Sequence, residues 1–133
     1  MREHRFALLR SSWEKLVKIL IVEDNAAIRR LIRRTVKHLA SEIHECTDGA
    51  EALDAYIQYN PDIVFMDIRM PRMDGLAATR LIRKYYPEAH IVIVTDYDID
   101  ELKNAALEAG ARGYALKDDL CQLERCVANI GAK

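Results

Sequence analysis

The sequence predicts an α/β fold in which a doubly wound, five-stranded parallel sheet carries helices on both faces. Short apolar segments alternate along the chain with longer segments whose apolar residues recur every three or four positions. Such alternation of strand and helix is typical of a mainly parallel sheet. Continuous apolar character in the third and fourth predicted strands fits burial on both faces. Because crossovers are right-handed, five strands suit the order 2-1-3-4-5.

Each predicted element depends on a local pattern. Strands are expected at 18–22, 43–46, 62–66, 91–94 and 113–116. Apolar residues with helical spacing predict helices at 27–39, 53–57, 76–86, 102–109 and 120–130. Asn60-Pro61 and Pro87 are expected to stop the second and third helices, and Gly110 is a favourable residue at the end of the fourth.

Composition and charge restrict the class of protein. The chain has 133 residues, enough for one domain, and a net charge of −1, which argues against a nucleic-acid-binding surface over the whole chain. It contains no apolar stretch near the roughly 20 residues that span a bilayer. Its three cysteines form no C-x-x-C pair, so a disulfide framework is not expected. We therefore expect a cytoplasmic protein that binds neither membrane nor nucleic acid directly.

The start of the chain differs from the remainder. Residues 1–18 hold five basic and two acidic residues, whereas the rest is mildly acidic. Phe6, Leu9 and Trp13 have helical spacing, but isolated helices shorter than roughly 12–15 residues are marginal in water. We therefore divide the chain into a basic N-terminal extension, 1–15, and a folded domain, 16–133.

Polar residues stand at the carboxyl ends of four predicted strands. Glu23 and Asp24 follow the first strand, Asp67 the third, Thr95 the fourth and Lys117 the fifth. In open α/β sheets, ligands bind outside this edge of the sheet. Clustered carboxylates need a neutralising cation, and Mg²⁺ prefers oxygen ligands from protein and phosphate. A carboxylate can also accept a phosphoryl group, whose oxygens a lysine and a hydroxyl would bind.

Two common nucleotide-binding motifs are absent from the sequence. No G-x-G-x-x-G follows the first strand, which disfavours a dinucleotide. No G-x-x-x-x-G-K-[ST] occurs either, which disfavours a P-loop nucleotidase.

From these residues the chain resembles the receiver domain of two-component response regulators, over roughly residues 17–130. The resemblance is carried by Ile21-Val22-Glu23-Asp24, by the run 67–75 (DIRMPRMDG), by Thr95 and by Tyr114-Ala115-Leu116-Lys117. It implies a flavodoxin-like sheet and a phosphorylation-dependent signalling switch. Asp67 would accept a phosphoryl group from a sensor histidine kinase or a phosphotransfer protein.

The resemblance also implies a role for each of the other residues. Glu23, Asp24, Asp67 and the backbone carbonyl of Arg69 would hold Mg²⁺ or Mn²⁺. Thr95 and Lys117 would bind the phosphoryl group, and Tyr114 would act with Thr95 as a switch. The switch would change the face made by the fourth helix, fifth strand and fifth helix, where the family often forms homodimers. Access to the site would be modulated by three residues: Arg69, Asp96 and Tyr97.

The sequence departs from the family pattern at two sites. Asp118 follows Lys117, where a proline, often cis, is usual, and Asp96 follows Thr95, where a small residue is usual. Asp96 would place bulk and negative charge near the mouth of the site, or else would point to solvent or cap the fourth helix. Capping is likewise an alternative for Asp24 with Asn25, and for Asp74.

Other functions remain open at this point. A Mg²⁺-dependent phosphohydrolase would use the same aspartyl-phosphate chemistry, but Asp67-Ile68-Arg69 lacks the second acid of the usual D-x-D motif. A pseudo-receiver that only binds a partner would not need the acids together with Thr95 and Lys117. We therefore expect a regulatory domain that catalyses its own phosphorylation and dephosphorylation and is not a conventional enzyme. It would be a stand-alone receiver or part of a longer regulator.

Overall fold

Five parallel strands form one sheet in the order β2-β1-β3-β4-β5 in the computed structural model, which describes residues 16–131. The strands are β1 (Val17–Val22), β2 (Ala40–Cys46), β3 (Ile63–Asp67), β4 (Ile91–Thr95) and β5 (Gly113–Leu116). The predicted strand order is therefore confirmed. The proposed extension, 1–15, lies outside the described residues, so the division of the chain at residue 16 stays a prediction.

Five α-helices connect and follow the strands. They are α1 (Ala26–Val36), α2 (Ala52–Tyr59), α3 (Gly75–Tyr85), α4 (Asp100–Ala109) and α5 (Cys121–Gly131). Short 3₁₀ turns at Lys37–Leu39 and Gly49–Glu51 flank β2. Among residues 16–131, no helix has both the length and the apolar character needed to cross a bilayer.

Helices cover both faces of the sheet, as the alternation of elements predicted. On one face, Ile32 and Val36 of α1 and Leu123 and Val127 of α5 pack against alternate residues of the central strands. On the other face, residues of α2, α3 and α4 form a second cluster that includes Tyr56, Ala78, Ile82 and Ala106. Every residue of β3 and β4 is buried, which explains why these segments are almost wholly apolar in sequence.

The strand register brings the carboxyl ends of the central strands to one edge. Val22 pairs with Met66, one residue before Asp67, and Asp67 itself pairs with Val94. Thr95 pairs in turn with Leu116. Side chains at or just beyond these ends therefore converge on the crevice where the strand order reverses between β1 and β3.

Side-chain caps decide where three of the helical segments begin. Asn25 accepts a hydrogen bond from Ile28 N (3.0 Å), Asp48 from Glu51 N (3.2 Å) and Asp74 from Ala77 N (2.8 Å). The capping role of Asp74 is thus confirmed, and Asn25, not Asp24, caps α1. The N-cap position of α4 is Ile99, so the idea that Asp96 caps this helix is wrong.

The first helix is shorter than its apolar pattern suggested. The α-helix ends at Val36, and a 3₁₀ turn carries the buried side chain of Leu39 into the core. The tighter turn changes the direction of the chain, so that β2 begins at Ala40 and not at residue 43. The predicted helix to residue 39 was wrong because periodicity does not distinguish a final 3₁₀ turn from a continuing α-helix.

The connection from β3 to α3 closes through a very near approach of two backbone segments. Gly75 N donates a hydrogen bond to Ile68 O (2.7 Å). A Cβ atom at Gly75 would lie 1.8 Å from the backbone oxygen of Asp67. Glycine is therefore required here by space, although its helix propensity is poor.

Gly75→Ala should lower the free energy of unfolding by about 1–3 kcal/mol, the usual cost of overpacking. Alanine would favour the helix by about 1 kcal/mol, but the clash with a backbone atom outweighs that gain. Urea unfolding measures the difference. Gly113→Ala is the control, because the atoms nearest to its Cβ would all belong to the Val92 side chain, at 3.3 Å or more. Equal losses for the two variants would contradict the steric argument.

Candidate functional site

Three carboxylates meet at the carboxyl edge of the sheet. Glu23 and Asp24 extend from β1 and Asp67 ends β3, and each offers an oxygen that lies within 4.8 Å of the others. Glu23 is almost fully buried, Asp67 is 5% exposed, and Asp24 is exposed. The sequence correctly placed these acids together, because they follow neighbouring strands of one parallel sheet.

Lys117 pairs with the two buried members of this acidic group. Its ammonium nitrogen lies 2.9 Å from Glu23 Oε1 and 3.1 Å from Asp67 Oδ1. The Lys117 side chain is only 11% exposed, and its backbone N–H donates to the carbonyl oxygen of Thr95, the last residue of β4 (2.9 Å). The strand pairing of β4 and β5 therefore positions the lysine.

Burial dominates the electrostatics of the two acids. It raises the pKa of Glu23 to about 7, against the opposing effect of the Lys117 hydrogen bond. Burial also raises the pKa of Asp67, again opposed by Lys117. For Lys117, burial works to lower the pKa, but Glu23 and Asp67 outweigh it and the pKa is raised. The lysine therefore stays protonated while the acids compete for one ammonium group.

Thr95 is linked to Tyr114 through the backbone of Tyr97. The N–H of Tyr97 donates to the buried hydroxyl oxygen Thr95 Oγ1 (3.3 Å), and the Tyr114 hydroxyl donates to the carbonyl oxygen of Tyr97 (2.5 Å). Lys103 of α4 lies over the half-buried Tyr114 ring at 6.0 Å and pairs with Asp98 at 2.6 Å. The predicted switch residues are thus joined, although Tyr114 itself does not line the cleft.

The cleft above Asp67 has a volume of about 350 Å³. The Arg69 guanidinium lies over the Tyr97 ring, 4.6 Å from its centre, and Asp96 is exposed beside them. All three predicted modulators of access therefore line the cleft together with the acids, Thr95 and Lys117. Sequence reasoning missed two further lining residues, Asn25 and Ile28, because their positions looked like the cap and the apolar face of α1.

The loop after β5 takes an ordinary backbone course despite the absence of proline. Asp119 N donates to Leu116 O (3.0 Å), which turns the chain toward α5. None of the peptide bonds in the described part of the chain is cis, including that between Lys117 and Asp118. The departure at Asp118 therefore leaves Lys117 in place.

Comparison with known proteins agrees with this geometry. The family model of the response regulator receiver domain matches residues 19–128. The chain belongs to this family. As a receiver domain it is a module of two-component signalling.

Individual relatives of this receiver domain differ in length. The chain is 37% identical over 100 residues to the chemotaxis protein CheY of Halobacterium salinarum, and the match covers 75% of this chain and 83% of that protein. It is 32% identical over 128 residues to the transcriptional regulatory protein DegU of Brevibacillus brevis, covering 90% of this chain but only 53% of DegU. The chain thus matches most of a short relative and about half of a longer one.

Among solved structures, the receiver domain of the histidine kinase CKI1 from Arabidopsis thaliana is similar, with a TM-score of 0.79 and 28% identity. The match covers 92% of this chain and 94% of that one. The CKI1 domain was solved in complex with Mg²⁺ and BeF₃⁻. The donor set of this chain, three carboxylates at one edge, also suits a hard divalent cation.

Lys117→Met should destabilise the fold, because it leaves two buried carboxylates without their cation. We expect a loss of about 3–5 kcal/mol at about pH 8 in the absence of divalent cations. The folded chain holds the Glu23 proton more tightly than the unfolded chain does, so stability falls as pH rises above the ordinary value of about 4.3. The loss of unfolding free energy caused by Lys117→Met should therefore be smaller at about pH 5, where Glu23 is protonated.

Urea unfolding at the two pH values measures this deficit, and added Mg²⁺ should reduce it. Lys84→Met is the control, since Lys84 is exposed on α3 and its ammonium lies over the ring of Tyr85. A deficit for Lys117→Met that is independent of pH would show that the lysine acts through packing alone.

Proposed function

We propose that the chain is a phosphorylation-controlled switch that accepts a phosphoryl group on Asp67. The donor is the phosphohistidine of a sensor histidine kinase or of a phosphotransfer protein. The observation that carries this proposal is the burial of the Asp67 carboxylate at the base of a cleft, 3.1 Å from one lysine and beside two further acids. Such a set of charges suits a doubly charged cation and a phosphoryl group together.

Mg²⁺ or Mn²⁺ is the proposed cofactor. Glu23, Asp24, Asp67 and the backbone carbonyl of Arg69 would hold it, and the CKI1 complex with Mg²⁺ supports this assignment. When bound, the ion neutralises the negative charge that the acids and an incoming phosphoryl group bring together. The Lys117 ammonium, no longer the main counter-charge of the acids, is then available to a phosphoryl oxygen.

In the transfer step, an Asp67 carboxylate oxygen forms a bond to phosphorus while the bond from phosphorus to the histidine nitrogen breaks. The imidazole leaves with the bonding electron pair, and the product is an aspartyl-phosphate. Lys117 and the hydroxyl of Thr95 bind oxygens of the transferred group. Hydrolysis of the acyl-phosphate by water resets Asp67, so the chain acts on itself and is not a conventional enzyme.

The signal leaves the site through Thr95 and Tyr114. When Thr95 binds a phosphoryl oxygen, its contact with Tyr97 N changes, and Tyr97 O is the acceptor for the Tyr114 hydroxyl. We propose that this shifts a pre-existing equilibrium in the face formed by α4, β5 and α5. A target protein or a second copy of the chain would bind that face in the phosphorylated state.

Arg69, Tyr97 and Asp96 are proposed to modulate access to the phosphoryl site. The stacked Arg69 and Tyr97 side chains narrow the cleft, and Asp96 adds a negative charge to its lining. A phosphohydrolase acting on separate substrates is less well supported, because position 69 carries the arginine of this stack and not the second acid of a D-x-D motif.

Asp67→Asn should abolish phosphorylation by acetyl phosphate in the presence of Mg²⁺, because the amide lacks the nucleophilic oxygen anion. Intact mass after labelling measures the extent of phosphorylation, and peptide mapping identifies the labelled residue. Asp54→Asn is the control, since Asp54 is an exposed acid of α2 outside the cleft and should label as the wild type does. Labelling of Asp67→Asn at the wild-type site and rate would refute the assignment of the phosphoacceptor.

Asp96→Ala should increase the rate of labelling by acetyl phosphate. Solvent and Mg²⁺ screen most of the repulsion between Asp96 and the anionic donor, and a residual of about 0.5–1 kcal/mol corresponds to a two- to five-fold change in rate. Glu101→Ala is the matched control, because it removes the same charge from an exposed position of α4 outside the cleft. Identical rates for Asp96→Ala and wild type at saturating Mg²⁺ would show that Asp96 only faces solvent.

A further inference from the structure

An ion pair ties the loop that follows Asp67 to a different part of the chain. Arg72, in the loop between β3 and α3, contacts Asp48 Oδ2 through Nη2 and also donates from Nε at 3.1 Å. Asp48 lies between β2 and α2, 24 residues earlier in sequence. Neither residue lines the cleft above Asp67.

Asp48 is a fixed anchor for Arg72. The residue is 4% exposed, and its other oxygen, Oδ1, accepts a hydrogen bond from Glu51 N (3.2 Å). One carboxylate oxygen therefore caps the 3₁₀ turn before α2, and the second holds the arginine. The hydrogen bond from Arg72 keeps the pKa of Asp48 below its usual range, so the pair is charged at neutral pH.

A second contact joins the same two segments beside the ion pair. Gly49 N donates a hydrogen bond to Met73 O at 3.2 Å. A Cβ atom at Gly49 would lie only 2.2 Å from that oxygen, so the close approach needs glycine. Consecutive residues of one segment, Asp48 and Gly49, thus bind consecutive residues of the other, Arg72 and Met73.

The backbone of Arg72 is in a costly conformation. Between residues 16 and 131, Asn60 and Arg72 are the non-glycine residues with positive φ, and the φ of Arg72 is 66°. Asn60 ends α2, where asparagine takes this conformation readily. Arginine does not, and the left-handed region costs it roughly 1–2 kcal/mol. Strain of this kind persists when the surrounding contacts enforce it, and it often occurs near functional sites.

We propose that Asp48 and Arg72 form a clamp that positions the loop 68–74 over Asp67, and that both are positioning residues for phosphoryl transfer. The inference rests on the proposed function of Asp67. The Gly75–Ile68 hydrogen bond joins the two ends of this loop. Between those ends, Arg72 and Met73 are held by the segment before α2. Arg69, whose carbonyl is a proposed metal ligand, lies in sequence between Ile68 and Arg72.

The clamp predicts that Arg72→Met weakens Mg²⁺ binding although Arg72 does not line the cleft that holds Glu23, Asp24 and Asp67. We expect a loss of about ten-fold, the lower end of the range for residues that orient metal ligands. Isothermal titration calorimetry on the unphosphorylated chain measures the Mg²⁺ affinity. Arg80→Met is the matched control, because Arg80 is an exposed arginine of α3 and should leave the affinity unchanged. Wild-type affinity in Arg72→Met would overturn the clamp.

Arg72→Gly separates the ion pair from the backbone conformation. Glycine adopts positive φ without strain, so this variant should be more stable than Arg72→Met in urea. It lacks the guanidinium, so its Mg²⁺ affinity should be as weak as that of Arg72→Met. If Arg72→Gly instead binds Mg²⁺ like the wild type, backbone conformation alone positions the loop and the ion pair has no such role.

A double-mutant cycle tests whether Asp48 and Arg72 act as one unit. Asp48→Asn keeps an oxygen that can cap the helical turn but removes the charge. The double variant, Asp48→Asn with Arg72→Met, should bind Mg²⁺ about as weakly as either single variant. If the fold-losses in Mg²⁺ affinity of the two single variants multiply in the double variant, the residues act independently and the proposed pair is rejected.

Failure of the clamp and failure of the proposed function give different results. Mg²⁺ affinity is measured without any phosphoryl donor, so it reports on the loop even if Asp67 were not the phosphoacceptor. Labelling of Asp67→Asn at the wild-type rate would reject the proposed function. Normal Mg²⁺ affinity in the Arg72 variants, with Asp67→Asn inactive, would reject the clamp alone.

Discussion

The ammonium group of Lys117 permits Glu23 and Asp67 to be buried side by side, and the functional site depends on this contact. Burial removes both carboxylates from water, and this loss of hydration raises the pKa of both. Lys117, which follows the last residue of β5, reaches both acids, at 2.9 and 3.1 Å. One positive charge does not balance three acids, which is why we propose that this edge of the sheet binds a divalent cation.

The parallel sheet supplies the framework for this arrangement. In a parallel sheet the carboxyl ends of all strands share one edge, so residues distant in sequence meet without long side chains reaching across the fold. The loops at this edge are held by close backbone contacts, at Gly75 against Asp67 and at Gly49 against Met73. These contacts leave little freedom to the segment that follows Asp67, and the Asp48–Arg72 ion pair adds to that restraint.

A short path of hydrogen bonds connects the buried site with the surface. Tyr97 contributes its N–H to Thr95, its carbonyl to Tyr114 and its ring to Arg69, so three contacts of one residue join the cleft to the side of the sheet covered by α4. Tyr114 is half-buried and donates its hydroxyl hydrogen bond to Tyr97 O, and we propose that a small change at Thr95 favours another arrangement of this side chain. The proposed signalling face therefore needs no large movement of the sheet.

Apolar periodicity in the sequence determined the strand order and the helices on both faces of the sheet, because these depend on short-range pattern. The residues at the strand ends determined the acids, threonine and lysine of the cleft, because parallel strands share one carboxyl edge. Only the tertiary structure decided that α1 ends at Val36, that Asn25 and Ile28 line the cleft, that Arg69 stacks on Tyr97 and that Arg72 pairs with Asp48. Those contacts depend on loop conformation and side-chain direction. Local sequence does not specify which residues of two separate loops meet; packing against the finished sheet does.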